Sequence, residues 1–572
     1  MNKKEVIKHL ESIAIYMELN GENAFKTSAF RKAAAALEND DRSLDMIDDV
    51  TKLSGIGKGT AAAINEFIST GTSSVLEELK EKTPKGLLPL LQLPGLGGKK
   101  IAKLYQELGI TSMEQLKEAC EQNRVQTLAG FGAKTEEKIL AAIEKVGQRP
   151  DRYPYYAALP VATLIEEALQ RMEDITRYSR AGSLRRVRET VKDLDFIIAT
   201  NHPERVRDQL VKKLPVQEVI AAGDTKVSVV MEVEDVSISV DFRLVEPKAF
   251  ITTLHHFTGS KDHNVRMRQL AKERDEKISE YGVEVLETGE VLTFETEEAF
   301  YEHFGLPFIP PEARESGKEV DEKLGEDKLI KLSDIRGDVH MHTTWSDGAY
   351  SIREMVEACR AKGYEYIAIT DHSHYLKVAN GLSPERLRAQ MEEIRQLNEE
   401  FDDFHIFTGT EMDILPNGDL DFDEDLLSEV DFVIASIHSS FQQPVETIME
   451  RLKNALQNVH VDLIAHPTGR IVGKREGYSV DIDQLLQLAK ETNTAVELNA
   501  NPYRFDLNDE VLRKAKELGV SVMINTDAHD TTHLDFMELG VSIGKKGWLS
   551  KDNVINTKSK DEFQAYLNRH LT

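Results

Sequence analysis

Six short apolar runs, YIAIT (366–370), IFTGTEM (406–412), FVIAS (432–436), DLIAH (462–466), AVELN (495–499) and VMINT (522–526), decide the fold of the C-terminal part of this chain. Helical stretches separate them. Repeated strand–helix units of this kind predict an α/β barrel-like fold whose functional side chains gather at the C-terminal ends of its strands.

Working outward, the stretch between Pro307 and Lys331 has adjacent prolines, glycines and dense charge, and reads as a linker. Upstream of it a helical run (VATLIEEALQRM, 161–172) leads to strand-like runs at LDFIIAT (194–200), VSVVMEV (227–233) and VSISVDFRLV (236–245), then to a charged, helical segment as far as about residue 310. The first 150 or so residues show short amphipathic helices joined by glycine turns, without strand alternation. Several domains are expected, because 572 residues exceed what one core usually supports.

Composition excludes some classes. At 40% hydrophobic residues, with no apolar run long enough for a bilayer, the chain reads as soluble and globular. Its N-terminus mixes charge into an amphipathic pattern, unlike an export signal. The two cysteines, Cys120 and Cys359, lie far apart without metal-ligand spacing, which suits a reducing cytoplasm. The formal charge of −28 argues against nucleic acid only weakly, since basic residues cluster in AGSLRRVRETVK (181–192) and KDHNVRMRQLAKER (261–274).

The segment Asp338-Val339-His340-Met341-His342-Thr343-Thr344-Trp345-Ser346-Asp347 carries two histidines which, on a strand, would face one way and could share a metal. Further strand ends add Asp371-His372, Glu411, His438, His466 and the pair Asp527 and His529. Nitrogen and carboxylate donors without cysteine suit Zn²⁺, Mn²⁺ or Fe²⁺. Their number exceeds one ion's coordination, so two or three ions sharing carboxylates are expected. Clustered ions activate water and neutralise a phosphate ester in the transition state. Any one of these histidines alone would read as a core or capping residue; it is their recurrence at strand ends that points to a centre.

In the middle region Gly182-Ser183-Leu184-Arg185-Arg186 is followed by Asp193-Leu194-Asp195 and, in a later strand, by Asp241. Asp193 and Asp195 share a strand face, and three convergent carboxylates bind Mg²⁺ through hard oxygen ligands. Gly182 lets the backbone approach a triphosphate, Ser183 can donate to it and Arg186 offers a charged clamp. In the first region, Leu53-Ser54-Gly55-Ile56-Gly57-Lys58 and Leu93-Pro94-Gly95-Leu96-Gly97-Gly98 repeat one pattern at a helix start. Leu128-Ala129-Gly130-Phe131-Gly132-Ala133 is a weaker copy. Amides at such turns can face a phosphate.

These repeats resemble helix-hairpin-helix motifs, which grip a nucleic-acid backbone, here through Gly55, Gly57, Lys58, Gly95, Gly97 and Lys99. The middle region resembles the nucleotidyltransferases. The run Phe257-Thr258-Gly259-Ser260-Lys261-Asp262-His263-Asn264 narrows the likeness, over residues 1–315, to the family X DNA polymerases of the polymerase beta type. That likeness implies Asp193, Asp195 and Asp241 as the Mg²⁺ or Mn²⁺ ligands, with Asp241 as base toward a primer 3′-hydroxyl. It implies Gly182, Ser183 and Arg186 on the triphosphate, with Gly259, Ser260 and Asn264 bordering the nucleotide. Arg243 and Arg268 would support the catalytic carboxylate and the template. Residues 335–570 resemble the PHP (polymerase and histidinol phosphatase) family. The metal ligands implied are His340, His342, Asp347, His372, Glu411, His438, His466, Asp527 and His529.

The sequence departs from the beta type in places. Ala63 stands where a lyase lysine is expected, so no amine nucleophile is offered there for removing 5′-deoxyribose phosphate. His256 replaces a tyrosine before the Phe-Thr-Gly-Ser run, and Val191 and Lys192 precede Asp193, where Lys192 could add its charge to the phosphates.

The expected architecture is multidomain, α and α/β. A helical DNA-binding domain (1–85) and a fingers-like helical domain (86–152) each carry a helix-hairpin-helix. An α+β nucleotidyltransferase palm (153–245), a thumb (246–315), a linker (316–332) and a distorted (β/α)7-type PHP barrel (333–572) follow. The activity expected is that of a cytoplasmic, monomeric gap-filling repair polymerase. It would take deoxynucleoside triphosphates and gapped or primed DNA in base excision repair. The PHP domain is expected to act as a Mn²⁺-dependent 3′→5′ exonuclease, with abasic-site incision and 3′-phosphodiesterase activity from the same chemistry. Two other readings stay open: a small-molecule phosphatase of the histidinol-phosphate type with an accessory DNA-binding half, and a DNA-binding scaffold with structural metals.

Overall fold

The amphipathic stretches of the first 150 residues fold as helices, at Lys3–Leu19, Ala24–Glu38, Lys58–Thr70, Ser74–Lys82, Gly98–Leu108, Met113–Glu121 and Ala133–Val146, with no strand among the described residues. The structure, a computed structural model, describes residues 3–38, 47, 49–93, 95–146, 150–234 and 236–570. It divides into two units, Met1–Pro150 and Asp151–Thr572. Within the first unit all three repeats form the same turn. Gly55 (φ 105°), Gly95 (φ 76°) and Gly130 (φ 90°) occupy left-handed backbone that favours glycine. Ile56, Leu96 and Phe131 bury their side chains beneath the loops and fix the following helix starts. Ala63 is buried in the core formed by the first helices.

In the second unit, β1 (Tyr153–Pro154) and β3 (Thr190–Val191) make a small antiparallel pair. A five-stranded sheet has the order β2-β4-β7-β6-β5, from β2 (Arg177–Ala181), β4 (Asp193–Ala199), β5 (Val216–Ala222), β6 (Lys226–Val233) and β7 (Val236–Val245). Only β4 and β7 run parallel in it, Asp195 being the register partner of Asp241. The segment after it, expected to be helical, also contains an antiparallel sheet of β8 (Glu276–Ile278), β9 (Val283–Val285) and β10 (Glu290–Leu292). These strands are too short for charge-rich sequence to show a period of two.

The stretch read as a linker is packed. Val320, Leu324 and Leu329 join the core of the segment before it, and buried Glu319 pairs with buried His263 at 2.8 Å. Most of its apolar residues and two of its charges, Arg314 and Glu319, are buried while most of its other charges face solvent, a division that composition alone does not reveal.

The final fold is a parallel sheet in strict sequence order: β11 (Gly337–Asp338), β12 (Tyr366–Ile369), β13 (His405–Asp413), β14 (Phe432–Ser436), β15 (Leu463–Ile464), β16 (Ala495–Asn499) and β17 (Val522–Asn525). A bridge between Met341 and Ala528 brings the chain beyond β11 against the chain beyond β17 and nearly closes the barrel. Alternation along each strand divides the apolar residues. Tyr366, Phe407, Phe432, Leu463 and Met523 fill the inside, and Phe563 of the helix Lys560–Leu567 stacks on Tyr366. Ile367, Ile406, Val433, Ile464, Val496 and Ile524 face outward, in a core that also contains Tyr155, Phe196, Phe242 and Leu244 of the preceding sheet and its helix. The two halves of this unit therefore share one hydrophobic core.

Candidate active sites

At the barrel mouth every one of the nine ligand-type residues comes together. Three overlapping sets have donor atoms within 4.8 Å of one another: His342, Asp347, His372 and His529; His340, His342, Glu411 and Asp527; and His372, Glu411 and His438. Glu411 joins two sets, lying 3.0 Å from His372 Nδ1 and 3.2 Å from His438 Nε2. It also meets His466 Nε2 at 2.9 Å. His340 and His342 lie beyond β11, which ends at Asp338, so loop backbone rather than strand pleat aims them. His466 (φ 28°) and Asp527 (φ 54°) hold left-handed backbone, rare for such residues and kept where surrounding structure imposes it.

The donor set fits divalent ions. His340 Nε2, His342 Nδ1, His372 Nδ1, His466 Nδ1 and Glu411 Oε2 are buried without a hydrogen-bond partner among the described residues, a costly state that a cation would relieve. Burial, aided by the imidazoles of His529 and His372, lowers the His342 pKa to about 3, leaving the neutral ring a ligand requires. Burial alone would raise the Glu411 carboxyl, but the surrounding imidazoles hold it well below its ordinary value.

Other residues set the ligands' directions. Glu497 takes His340 Nδ1 at 2.6 Å and the His466 amide at 2.7 Å, and Asp413 meets His438 Nδ1 at 3.1 Å. Such partners fix the tautomer and orientation of a ligating imidazole. Asp371 accepts bonds from Thr343 and Gln390 and so clamps the loop carrying Asp347. Arg504 Nε lies 3.5 Å from Asp527 Oδ2, and its guanidinium has no hydrogen bond among the described residues. Sequence reading missed Glu497, Asp413 and Arg504; the only signal was that they lie at or near strand ends.

In the five-stranded sheet Asp193 and Asp195 open β4 on one face, with Asp241 beside Asp195. Burial, then the charges of Asp193 and Asp241, raises the Asp195 pKa to about 7, the mark of carboxylates crowded without a cation. Asp241 itself accepts from Ser228 Oγ (2.5 Å) and meets Lys226 Nζ (2.8 Å). Gly182 has φ 63°, and a Cβ there would sit 2.3 Å from Asp195 Oδ2. Its bare backbone therefore makes room for the carboxylate. Arg186 is held by the Thr258 carbonyl (2.6 Å) and Glu315 (3.2 Å), while Arg243 lies over the Phe257 ring at 4.4 Å. Asn264 donates to the His256 carbonyl (2.8 Å) and Ser260 caps the helix Lys261–Lys272, which carries the exposed Arg268. Lys192, Lys58 and Lys99 are exposed.

A glycine-serine loop beside paired acidic strands, a helical and three-stranded appendage, and a polar-mouthed parallel barrel define a polymerase beta-like chain joined to a PHP domain. Family models match the helical repeats, the appendage and the barrel. They match a helix-hairpin-helix domain at residues 1–73, a SAM-like helix-hairpin-helix tandem at 47–108 and 87–145, the DNA polymerase beta thumb at 253–315, and the PHP domain at 338–501. The chain is 62% identical over 570 residues, the full length of both, to the DNA polymerase/3′-5′ exonuclease PolX of Bacillus subtilis. A probable phosphatase of Thermoanaerobacter sp. (strain X514) is 31% identical over 231 residues, 38% of this chain and 89% of that protein. One of Acetivibrio thermocellus is 30% identical over 241 residues, 41% of this chain and 95% of that protein. The chain belongs to the family X DNA polymerases that carry a PHP domain.

Proposed function

We propose that the chain fills short DNA gaps in base excision repair as a DNA-directed DNA polymerase, and that its PHP domain trims DNA ends as a 3′→5′ exonuclease. Abasic-site incision and removal of 3′-blocking groups follow from the same phosphodiester chemistry. The observation that carries the polymerase reading is the register of β4 and β7, which sets Asp195 against Asp241 with Asp193 on the same face. In this reading residues 153–245 are the palm, 246–315 the thumb, 333–572 the PHP domain, and the helical repeats hold the DNA backbone.

Asp193, Asp195 and Asp241 would hold two Mg²⁺ or Mn²⁺ ions, and the nine barrel-mouth residues two or three of Mn²⁺, Zn²⁺ or Fe²⁺. When bound, such ions neutralise phosphate oxygens and lower the pKa of an attacking hydroxyl or water. Asp241 takes the proton of the primer 3′-hydroxyl as its oxygen bonds to the α-phosphorus and pyrophosphate leaves. Ser183, Arg186 and Lys192 bind the triphosphate, and Gly259, Ser260 and Asn264 border the nucleotide. Arg243 and Arg268 steady the carboxylate and the template. At the barrel mouth Arg504 offers its free donors to the scissile phosphate. Gly55, Gly57, Lys58, Gly95, Gly97 and Lys99 face the DNA backbone. With Ala63 buried, no amine stands there for a lyase reaction. A cytoplasmic location suits the two buried free thiols, Cys120 and Cys359; we take the protein to act as a monomer.

The test is a labelled one-nucleotide-gap DNA in Mn²⁺, with and without deoxynucleotides. Asp193→Ala with Asp195→Ala is expected to abolish extension and spare 3′ shortening; His340→Ala with His342→Ala is expected to do the reverse. Incorporation surviving in the first variant, or undiminished shortening in the second, overturns the corresponding half. The phosphatase-like relatives match only the PHP part. Hydrolysis of a phosphomonoester without attack on DNA ends would favour their reading.

A further inference from the structure

Lys546 ends the helix Phe536–Lys546, which follows the ligand-bearing turn of Asp527 and His529. Gly540 and Gly544 seat that helix against the barrel: a Cβ on Gly540 would meet Ala500 Cβ at 2.5 Å, and one on Gly544 would meet Ile330 at 3.3 Å. The end of the helix is thereby fixed. Its last side chain is buried, 3% exposed, and bonds outside the barrel. The ammonium donates to the Glu315 carboxylate, to the Arg186 carbonyl (3.2 Å) and to the Glu312 carbonyl (3.4 Å).

Glu315 is the centre of this arrangement. Its Oε1 also accepts from Arg186 Nε at 3.2 Å, its Oε2 faces Arg188 at 3.4 Å, and its carbonyl accepts from Ser260 Oγ at 2.8 Å. The other arm of Arg186 is tied to the Thr258 carbonyl, at the turn that holds Gly259 and Ser260. A buried ammonium is tolerated only where acceptors pair it. All three acceptors of Lys546 belong to the nucleotide-binding half, so the barrel's own stability does not account for it.

We infer that Lys546, a PHP-domain residue, is a positioning residue for the polymerase: it holds Glu315, and through it Arg186, where the triphosphate binds. The inference rests on Arg186 as a triphosphate ligand.

The test uses the full chain on gapped DNA, with deoxynucleotide titrations and 3′ shortening measured on the same preparations. Lys546→Met is expected to raise the deoxynucleotide KM about tenfold with kcat within about twofold, the size expected for one charge-assisted contact. Exonuclease activity should be unchanged, and Lys546→Arg should restore most of the affinity. Arg186→Ala should raise KM at least as much, and adding Lys546→Met to it should change little further. If Arg186→Ala raises KM and Lys546→Met does not, the inference fails while the triphosphate assignment stands. If Arg186→Ala leaves KM unchanged, the assignment itself fails. Should Lys546→Met lose both activities through misfolding, Lys546→Gln decides. It keeps a donor for Glu315 but not the charge; a raised KM with intact exonuclease supports the inference, and an unchanged KM overturns it.

Discussion

Glu497 binds no metal in the proposed set, yet it fixes two histidines that do, through His340 Nδ1 and the His466 amide. Glu497→Ala is therefore expected to lower metal retention and exonuclease rate by about 10- to 100-fold while gap filling persists. Metal content after dialysis, measured beside both activities, checks this. Asp195 gives a pH-dependent expectation. Its pKa rises from 3.8 to about 7 through burial and the charges of Asp193 and Asp241, so the folded state binds that proton more tightly than the unfolded chain does. Ionising it costs stability as pH climbs between those values. In metal-chelated protein, Asp195→Asn should match wild type in Tm near pH 4, exceed it increasingly up to about pH 7 and keep a level margin above that; equal Tm values at pH 8 would refute the cause. The ligand-type residues were legible because chemistry and strand-end position agree in sequence. Glu497 was not, because its role depends on which way a neighbouring ring points. Nor was the partner of Arg186, since Glu315 lies 129 residues away.

At the scale of elements, what could be read depended on length and periodicity. β12, β14, β16 and β17 are fully buried and stand out as apolar runs, and the glycine turns of the N-terminal repeats show by composition. The three-residue strands β8, β9 and β10 carry too few positions to reveal a pleat, and β11 is two residues long, so His340 and His342 owe their direction to loop backbone instead. The repeats carry their own test. Lys58 and Lys99 follow Gly57 and Gly97, which cap the helices Lys58–Thr70 and Gly98–Leu108. Lys58→Glu with Lys99→Glu should weaken gap binding without altering sequence preference and should flatten the slope of log affinity against log salt by about two. Fluorescence anisotropy over a salt series measures both.

For the molecule as a whole, the barrel mouth concentrates buried imidazole nitrogens and a carboxylate oxygen that have no hydrogen-bond partner among the described residues. Stripping divalent ions is expected to lower the Tm of the second unit, and restoring Mn²⁺ to raise it again with the metal's concentration. Differential scanning calorimetry of chelated and reloaded protein reads the shift, and an unchanged melting profile would count against an ion-filled centre. The packed segment between Pro307 and Lys331 shows why whole-molecule organisation was the least legible level: its buried Glu319 pairs with His263, 56 residues away, and the Ile330 amide donates to the Leu549 carbonyl. The shared hydrophobic core bears on descent as well as stability. Tyr155 meets Phe505 edge-on at 5.9 Å and Tyr156 stacks on Tyr503 at 4.0 Å, across what would be the cut if the gene were split. Separation would strand an oily scar on both products, so each would need several simultaneous polar replacements before it could live alone. The fusion works as a ratchet, easier to enter than to leave.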